Sequence, residues 1–337
     1  MTAPKFDPES DIPDLRGKVI CVTGANVGLG KACVKHFARH GPAKIWLAAR
    51  NAEKAKAAIA DILEELGPGG GGGTPCEFLE LDLASLASVQ KAAQRLRAES
   101  PRLDILMLNA AVMCNPPGLT ADGYELQFGT NYMGHALLTK LLLPLLLKSA
   151  AEIEPETEKD KDKPSDVRVV VLGSEAHKVA LPKVGIDLGR LKSETMDVSS
   201  ARRYGVSKLA TVLFTRELAK RYPRVTVAAA HPGWVTTNLG HSMADSFMSP
   251  AVQGRIMSFL AHVPPFQTPD KGAKTQLWAS VSKNVVSGEY YTAVGKGVRR
   301  ARRPNLTTWR GACGSGPRRS LRGSRHSCNG GLDMGFA

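Results

Sequence analysis

The chain has 337 residues, a formal net charge of +14 and 43% hydrophobic residues, and this length is enough to bury a sizeable core. No run reaches the roughly 18 to 20 consecutive apolar residues of a membrane-spanning helix, and the first residues are polar and proline-containing instead of forming an apolar signal core. The six cysteines are scattered without a Cys-x-x-Cys pair, so the sequence indicates neither a zinc site nor a disulfide framework. We therefore expect a cytoplasmic protein with no membrane span and no bound metal.

Short apolar runs alternate with amphipathic helical patterns along the chain. Because the runs lack polar alternation, they predict strands covered on both faces, and their alternation with helices predicts an α/β fold with a doubly wound parallel sheet of Rossmann type. The predicted strands are Val19–Thr23, Ile45–Ala49, Glu77–Leu81, Ile105–Leu108, Val167–Leu172 and Val225–Ala230. Two segments, Gly67–Gly73 and Ala151–Asp166, have the composition of inserted loops.

A glycine motif, Thr23-Gly24-Ala25-Asn26-Val27-Gly28-Leu29-Gly30, lies between the first strand and a helical pattern at Lys31–His40. This strand-turn-helix setting is the one in which such a motif binds a dinucleotide pyrophosphate. Gly24 would allow the tight turn, Gly28 would let the backbone approach the anion, and Gly30 would permit close helix-strand packing. The alternative is that the glycines only shape a turn between a strand and a helix.

Arg50 follows the second predicted strand, about twenty residues past the last glycine, where an acidic residue would otherwise bind the ribose 2′-hydroxyl of NAD. A carboxylate would repel a 2′-phosphate, whereas a guanidinium can form charge-assisted hydrogen bonds to it. The sequence therefore predicts NADP(H) rather than NAD(H), unless Arg50 is an ordinary surface arginine.

Tyr204 and Lys208 are four residues apart in a segment, Arg202–Tyr222, whose leucine spacing predicts a helix. On one face of that helix, an ammonium near the phenol would favour the phenolate and lower its pKa toward the range of a proton-transfer catalyst. Together with the glycine motif, this pair predicts a nicotinamide-dependent oxidoreductase. By itself, a Tyr-x-x-x-Lys pair is weak evidence.

The positive charge is concentrated at the C-terminus. Ten Lys and Arg residues and one acid lie between Lys296 and Ala337, which gives +9 and leaves +5 for the other 295 residues. This segment lacks apolar periodicity and predicts a disordered basic tail. Binding of RNA or of an anionic membrane surface is one alternative, but we expect no specific nucleic-acid partner. The predicted organisation is an N-terminal extension at 1–15, a single Rossmann-type domain at 16–297 and the tail at 298–337.

These features resemble the short-chain dehydrogenases/reductases, and within them the branch of the retinol dehydrogenases and the WW-domain oxidoreductases. The resemblance covers about Arg16 to Gly295. It rests on Thr23–Gly30, Asp82-Leu83, Leu108-Asn109-Ala110-Ala111, Asn131 in Asn-Tyr-Met-Gly-His, Ser174 in Gly-Ser-Glu-Ala-His, Tyr204–Lys208 and His231-Pro232-Gly233-Trp234-Val235-Thr236.

For the cofactor, the resemblance implies that Asp82 accepts from the adenine amine, that Asn109 lines the groove, and that Pro232 to Thr236 hold the carboxamide. The complete predicted set is Thr23, Gly24, Asn26, Gly28, Leu29, Gly30, Arg50, Asp82, Leu83, Asn109, Tyr204, Lys208, Pro232, Val235 and Thr236.

For catalysis, the resemblance implies that Ser174 holds the substrate oxygen, Tyr204 transfers the proton, Lys208 binds the nicotinamide ribose and lowers the pKa of Tyr204, and Asn131 orders a relay water. Local packing or turn roles are the alternative for Asn131, Ser174 and Pro232-Gly233. The chain departs from the family in having Ala111 at the end of the Asn-Asn-Ala-Gly signature, Leu108 at its start, and Gly173 in place of the first serine of Ser-Ser.

The sequence thus predicts an NADP(H)-dependent enzyme that interconverts a hydrophobic ketone or aldehyde and its alcohol, with secondary metabolism as one setting. The substrate region at Thr237–Gln267 is rich in Met, Phe, Leu and Pro, which fits an apolar pocket or plain core packing. A catalytically weak protein that senses NADP(H) on the same fold is the alternative function. The leucine-rich run Leu137–Leu147 should be buried, and with the Tyr204 helix it could form a homodimer of the kind that the family often builds.

Overall fold

A computed structural model describes residues 5–67, 73–153, 164–179, 186–235 and 267–297. The predicted tail at 298–337, Thr236 and nearly all of the predicted substrate region lie outside these residues.

The strands of the described residues form one sheet in the order β3-β2-β1-β4-β5-β6-β7-β8, in which only β8 is antiparallel to its neighbour. The strand order reverses direction at the junction of β1 and β4, which is the switch point of a doubly wound sheet. The predicted fold class is therefore confirmed. The strands are β1 (Val19–Thr23), β2 (Lys44–Ala49), β3 (Cys76–Glu80), β4 (Ile105–Leu108), β5 (Arg168–Leu172), β6 (Thr226–Ala230), β7 (Tyr290–Ala293) and β8 (Lys296–Gly297).

The helices of the described residues cover the sheet from both sides, and the central strands β1, β4, β5 and β6 are buried, as in other doubly wound folds. A π-helical turn, Gly129–Met133, separates α5 from α6. The helices are α1 (Pro8–Asp11), α2 (Gly28–Ala38), α3 (Ala52–Leu66), α4 (Leu86–Glu99), α5 (Leu126–Phe128), α6 (Gly134–Ala151), α7 (Ala176–Val179), α8 (Ser200–Arg221) and α9 (Pro269–Val281).

The N-terminal segment packs into the body instead of extending from it. Phe6, Ile12 and Leu15 are buried in the same hydrophobic cluster as α2 and α9. The Leu15 amide donates to the carbonyl of His40 at 2.9 Å, which ties the segment to the end of α2. The apolar side chains of this segment therefore contribute to the core, and the boundary at residue 15 stays a prediction.

The leucine-rich run lies in α6, and its side chains at Leu138, Leu142 and Leu146 are buried. The helix continues through Pro144, which is exposed to solvent. Among the described residues, no helix is both long enough and apolar enough to cross a membrane.

Candidate active site

The glycine motif forms the turn between β1 and α2. Gly24 and Gly28 have φ angles of 62° and 55°, in the left-handed region that favours glycine. A Cβ atom at Gly30 would lie 2.5 Å from the Gly24 carbonyl oxygen and 2.6 Å from Asn109 Nδ2, so the close packing expected for this glycine is present. No described side chain caps α2 at Val27, which leaves the amides of its first turn for an anion. This turn fits a dinucleotide pyrophosphate.

Asn109, at the end of β4, holds the turn together. Its Nδ2 donates to the carbonyls of Thr23 at 2.9 Å and Gly24 at 3.3 Å. Gln276 of α9 donates to its Oδ1 at 3.3 Å and so orients the amide. A Cβ atom at Gly24 would lie 2.8 Å from the Cβ of Ala110, so β1 and β4 meet closely here. The side-chain amide of Asn109 is thus used in hydrogen bonds within the protein, and its place in a cofactor groove stays a prediction.

The residues expected at the adenosine end follow the two neighbouring strands. Arg50 is exposed just after β2. Asp82 lies beyond β3, and its Oδ1 accepts from the Ala84 amide at 2.9 Å. Leu83 is buried, and a Cβ atom at Gly134 would collide with its carbonyl oxygen. Because β2 and β3 are adjacent, Arg50 and Asp82 lie at the same edge of the sheet as the glycine turn.

The catalytic residues predicted from the sequence are brought together at that edge. Ser174 follows β5, and its side chain lies close enough to the Tyr204 phenol of α8 to lower the pKa of that phenol. Lys208, one turn further along α8, has its Nζ 5.7 Å from the centre of the Tyr204 ring. The same Nζ donates to the carbonyl of Leu172 at 2.7 Å. Lys208 is 1% exposed, so its amino group is held in a site with little water.

Burial sets the protonation of this pair. It lowers the pKa of Lys208 to about 7. It raises the pKa of Tyr204 to about 12, against the smaller lowering effect of the nearby Ser174 side chain. The lower pKa expected for Tyr204 is therefore not found, because removal from water penalises both charged forms. Tyr204 is a neutral phenol at physiological pH.

Asn131 lies in the π turn and is 1% exposed. Its Oδ1 accepts from the Val112 amide at 2.8 Å, and its Nδ2 donates to the Val112 carbonyl and to Ser207 Oγ, both at 2.9 Å. Ser207 in turn donates to the carbonyl of Tyr204 at 2.7 Å. The side chain thus joins the loop after β4 to α8, and its role in ordering a relay water stays a prediction.

The loop after β6 reaches the glycine turn. Val235 pairs with Gln267 in an isolated parallel bridge before α9. A Cβ atom added at Gly272 of α9 would meet side-chain atoms of both Val235 and Leu29. Val235 therefore lies near the start of α2, and the binding of a cofactor by the segment from Pro232 to Val235 stays a prediction.

Tyr290 of β7 borders the site but was not predicted from the sequence. A Cβ atom at Gly173 would lie 2.6 Å from its Cε2, so the ring occupies the space of a side chain at that position. This contact accounts for glycine where the family has the first serine of Ser-Ser. The His177 ring packs edge-on against Tyr290 at 4.8 Å. The two consecutive tyrosines were the available signal, because aromatic residues are enriched in strands.

Comparisons with known proteins agree with this geometry. The family model described as short chain dehydrogenase matches residues 18–153. The chain is 39% identical to mouse retinol dehydrogenase 14, over 82% of this chain and 78% of that protein. A structure from Mycobacterium paratuberculosis, described as a putative uncharacterized protein, is 28% identical with a TM-score of 0.62 and covers 90% of this chain and 91% of its own. A short chain dehydrogenase from Shigella flexneri, complexed with NADP, is 22% identical with a TM-score of 0.56 and covers 83% of this chain and 98% of its own.

Proposed function

The chain belongs to the short-chain dehydrogenases/reductases, in their retinol-dehydrogenase-like branch, and from that premise we propose that it is an NADP(H)-dependent enzyme acting on a hydrophobic ketone or aldehyde and the corresponding alcohol. The observation that carries the proposal is the convergence of Ser174, Tyr204 and Lys208 at the sheet edge that also carries the glycine turn. Membership of the family makes the chain an oxidoreductase. The cofactor preference and the substrate class are our proposals.

The chain's own residues fit NADP(H). The first-turn amides of α2 and the close backbone at Gly24 and Gly28 would hold the pyrophosphate. Arg50 would bind the 2′-phosphate through charge-assisted hydrogen bonds, and the buried Lys208 would bind the nicotinamide ribose. When bound, the nicotinamide supplies or accepts the hydride. A solved structure of the same fold is an NADP complex.

Tyr204 would act as the proton donor in the reductive direction. Because its pKa is raised to about 12, it carries its proton at neutral pH and can donate it to the substrate oxygen. Ser174 would hold that oxygen beside the phenol. In its protonated form Lys208 would stabilise the phenolate left behind, since its Nζ is held 5.7 Å from the centre of the ring. Lys208 is buried and Ser174 and Tyr204 are half-buried, so water screens their interaction less than it would at the protein surface.

The substrate class rests on sequence composition. Thr237–Gln267 is rich in Met, Phe, Leu and Pro, which is the lining expected for an apolar pocket. Mouse retinol dehydrogenase 14, by its name, acts on an apolar alcohol. We therefore place the substrate among hydrophobic carbonyl compounds and alcohols, with secondary metabolism as one setting.

The experiment is a screen of the purified protein with NADPH and NADP⁺ against hydrophobic ketones, retinoids, steroids and polyketide-like alcohols, with cofactor binding measured separately. We expect NADPH binding and turnover of at least one apolar class. Binding without turnover of any compound would favour the NADP(H)-sensing alternative. Absence of NADPH binding would contradict the proposal as a whole.

A homodimer built on α6 and α8 and a cytoplasmic location also remain proposals. Light scattering tests the first, and a monomer across the concentrations used for activity would contradict it. Fractionation of cells that express the full chain tests the second.

A further inference from the structure

His135 is a buried histidine that the proposed mechanism does not use. It lies in the first turn of α6, just after the π turn, and is 3% exposed. Its Nε2 is 2.9 Å from Thr23 Oγ1, and its Nδ1 is 3.0 Å from the carbonyl oxygen of Asn131. One imidazole thus joins the end of β1, in the glycine motif, to the π turn that carries Asn131.

The two partners define the tautomer. A carbonyl oxygen can only accept, so Nδ1 carries the proton and donates it to Asn131. The other nitrogen, Nε2, must then accept from the Thr23 hydroxyl. Burial lowers the pKa of His135 to about 4, so this neutral form holds across the physiological range.

The direction of the Thr23 hydroxyl decides how the glycine turn is held. Thr23 Oγ1 accepts from the amides of Asn109 and Ala110, both at 3.0 Å. It can accept both only while its own proton points elsewhere. The Met107 carbonyl, at 3.5 Å, is a more distant acceptor for that proton than His135 Nε2, at 2.9 Å. His135 therefore keeps the hydroxyl oriented to hold the Asn109 end of the cofactor groove.

The other side of the imidazole leads to the catalytic helix. His135 fixes the Asn131 carbonyl, and the Asn131 side chain binds the Val112 backbone and Ser207 Oγ. Ser207 donates to the carbonyl of Tyr204. A series of hydrogen bonds, connected through Asn131 itself and buried except for the last, thus runs from the cofactor groove to the residue that bears the catalytic phenol.

We propose that His135 is a positioning residue that couples the glycine-turn end of the cofactor groove, through Thr23, to the π turn and the Tyr204 helix, through Asn131. This inference rests on the proposed function for its kinetic consequences. Its structural content, the tautomer and the two hydrogen bonds, is independent of activity. The two imidazole nitrogens have different partners, so each of the two hydrogen bonds can be removed by a separate substitution.

The test uses His135→Asn and His135→Gln. The amide of asparagine can replace Nδ1 and keep the bond to Asn131, whereas glutamine reaches the position of Nε2 and keeps the bond to Thr23. We expect His135→Asn to weaken NADPH binding about tenfold and to speed hydrogen exchange of the Asn109 and Ala110 amides, with kcat less affected. We expect His135→Gln to lower kcat about tenfold with nearly normal NADPH affinity and exchange.

Ser149→Ala is the matched control, because Ser149 is equally buried near the other end of α6 and its Oγ bonds Leu103 and Leu145. It should lower the melting temperature without changing NADPH affinity, kcat or exchange at Asn109. Thr23→Val should reproduce the binding and exchange defects of His135→Asn, and the two changes together should be less than additive. Thr23→Ser, which keeps the hydroxyl, should restore both properties relative to Thr23→Val.

Nitrogen-15 NMR of the wild-type imidazole gives a result that needs neither a variant nor turnover. A proton on Nδ1 is expected, and a proton on Nε2 would overturn the inference. Equal changes of NADPH affinity, kcat and exchange in both His135 variants would also overturn it. If the wild-type protein binds no NADPH, the proposed function fails, while the NMR and exchange results still decide the role of His135. If the His135 variants do not fold, the comparison of Thr23→Val with Thr23→Ser decides it.

Discussion

Lys208 lies in the interior with its amino group on the Leu172 carbonyl, and this placement has a consequence for stability as well as for catalysis. Burial lowers its pKa from 10.5 to about 7. Below about pH 7 both the folded and the unfolded chain carry the proton, so the folded state bears the full cost of a buried ammonium. Between about pH 7 and 10.5 the unfolded chain binds more protons, so the free energy of unfolding rises with pH.

Lys208→Met should therefore remove the pH-dependent contribution of this lysine to the free energy of unfolding. We expect the wild type to gain stability relative to the variant by on the order of 1 kcal/mol per pH unit as the pH rises above about 7. Denaturant unfolding of both proteins at several pH values measures the difference. Lys91→Met, at an exposed position of α4, serves as the control and should show no such trend. A difference between wild type and Lys208→Met that does not change with pH would contradict burial as the cause of the shift.

Arg50 is predicted to determine the cofactor preference. It is exposed beyond β2, where a guanidinium can reach a 2′-phosphate in solvent. We expect NADPH to bind more tightly than NADH by about one to two orders of magnitude, and Arg50→Ala to erase most of that difference. Calorimetric titration with both cofactors measures it, and Arg97→Ala, at an exposed arginine of α4, is the control. Equal affinity of the wild type for NADH and NADPH would refute this prediction.

At the level of elements, β7 shapes the site next to the catalytic serine. Tyr290 fills the space beside Gly173, where a Cβ atom would lie 2.6 Å from the ring. Gly173→Ala should therefore displace the ring or the strand, lower stability by about 1 to 3 kcal/mol and reduce turnover.

The matched control for Gly173→Ala is Gly118→Ala. A Cβ atom there would have its nearest neighbour at 3.9 Å, which is ordinary van der Waals contact. Thermal unfolding and steady-state kinetics of the two variants provide the comparison. Equal melting temperatures for Gly173→Ala and the wild type would show that Tyr290 does not restrict this position.

Of the six strands that the sequence predicted, β1, β2, β4, β5 and β6 are buried along nearly their whole length, where a continuous apolar run is itself the signal, and the edge strand β3 is only partly buried. Their observed bounds agree within one residue. β7 has only four residues, includes Thr292, and reads as Tyr-Tyr-Thr-Ala, so neither an apolar run nor alternation marks it. The helix expected at Lys31–His40 begins at Gly28, because the glycine motif itself supplies its first turn. A strand with a continuous apolar run can therefore be predicted from the sequence, whereas β7 has no such run and forms through its pairing with β6 and β8.

At the scale of the whole molecule, parallel strands bring residues from distant parts of the chain to one edge of the sheet. Thr23, Ser174 and Tyr204 were predictable because motif spacing and family resemblance identify them. His135 and Gln276 were not, since a polar residue in a helix gives no sign of its partners, which come from β1 and β4. The pKa of Tyr204 was predicted in the wrong direction, because the sequence showed the nearby lysine but not the extent of burial.

The central claim is that this molecule transfers a hydride from NADPH while Tyr204 supplies the proton. Single-turnover oxidation of NADPH with an accepted substrate tests it most directly, in the wild type, in Tyr204→Phe, and in Tyr222→Phe, which alters a tyrosine just beyond the far end of α8. We predict that Tyr204→Phe slows the step by about 10²- to 10⁴-fold with cofactor affinity nearly unchanged, as expected for a lost general acid. Tyr222→Phe should match the wild type. Equal rates for Tyr204→Phe and the wild type would contradict the account.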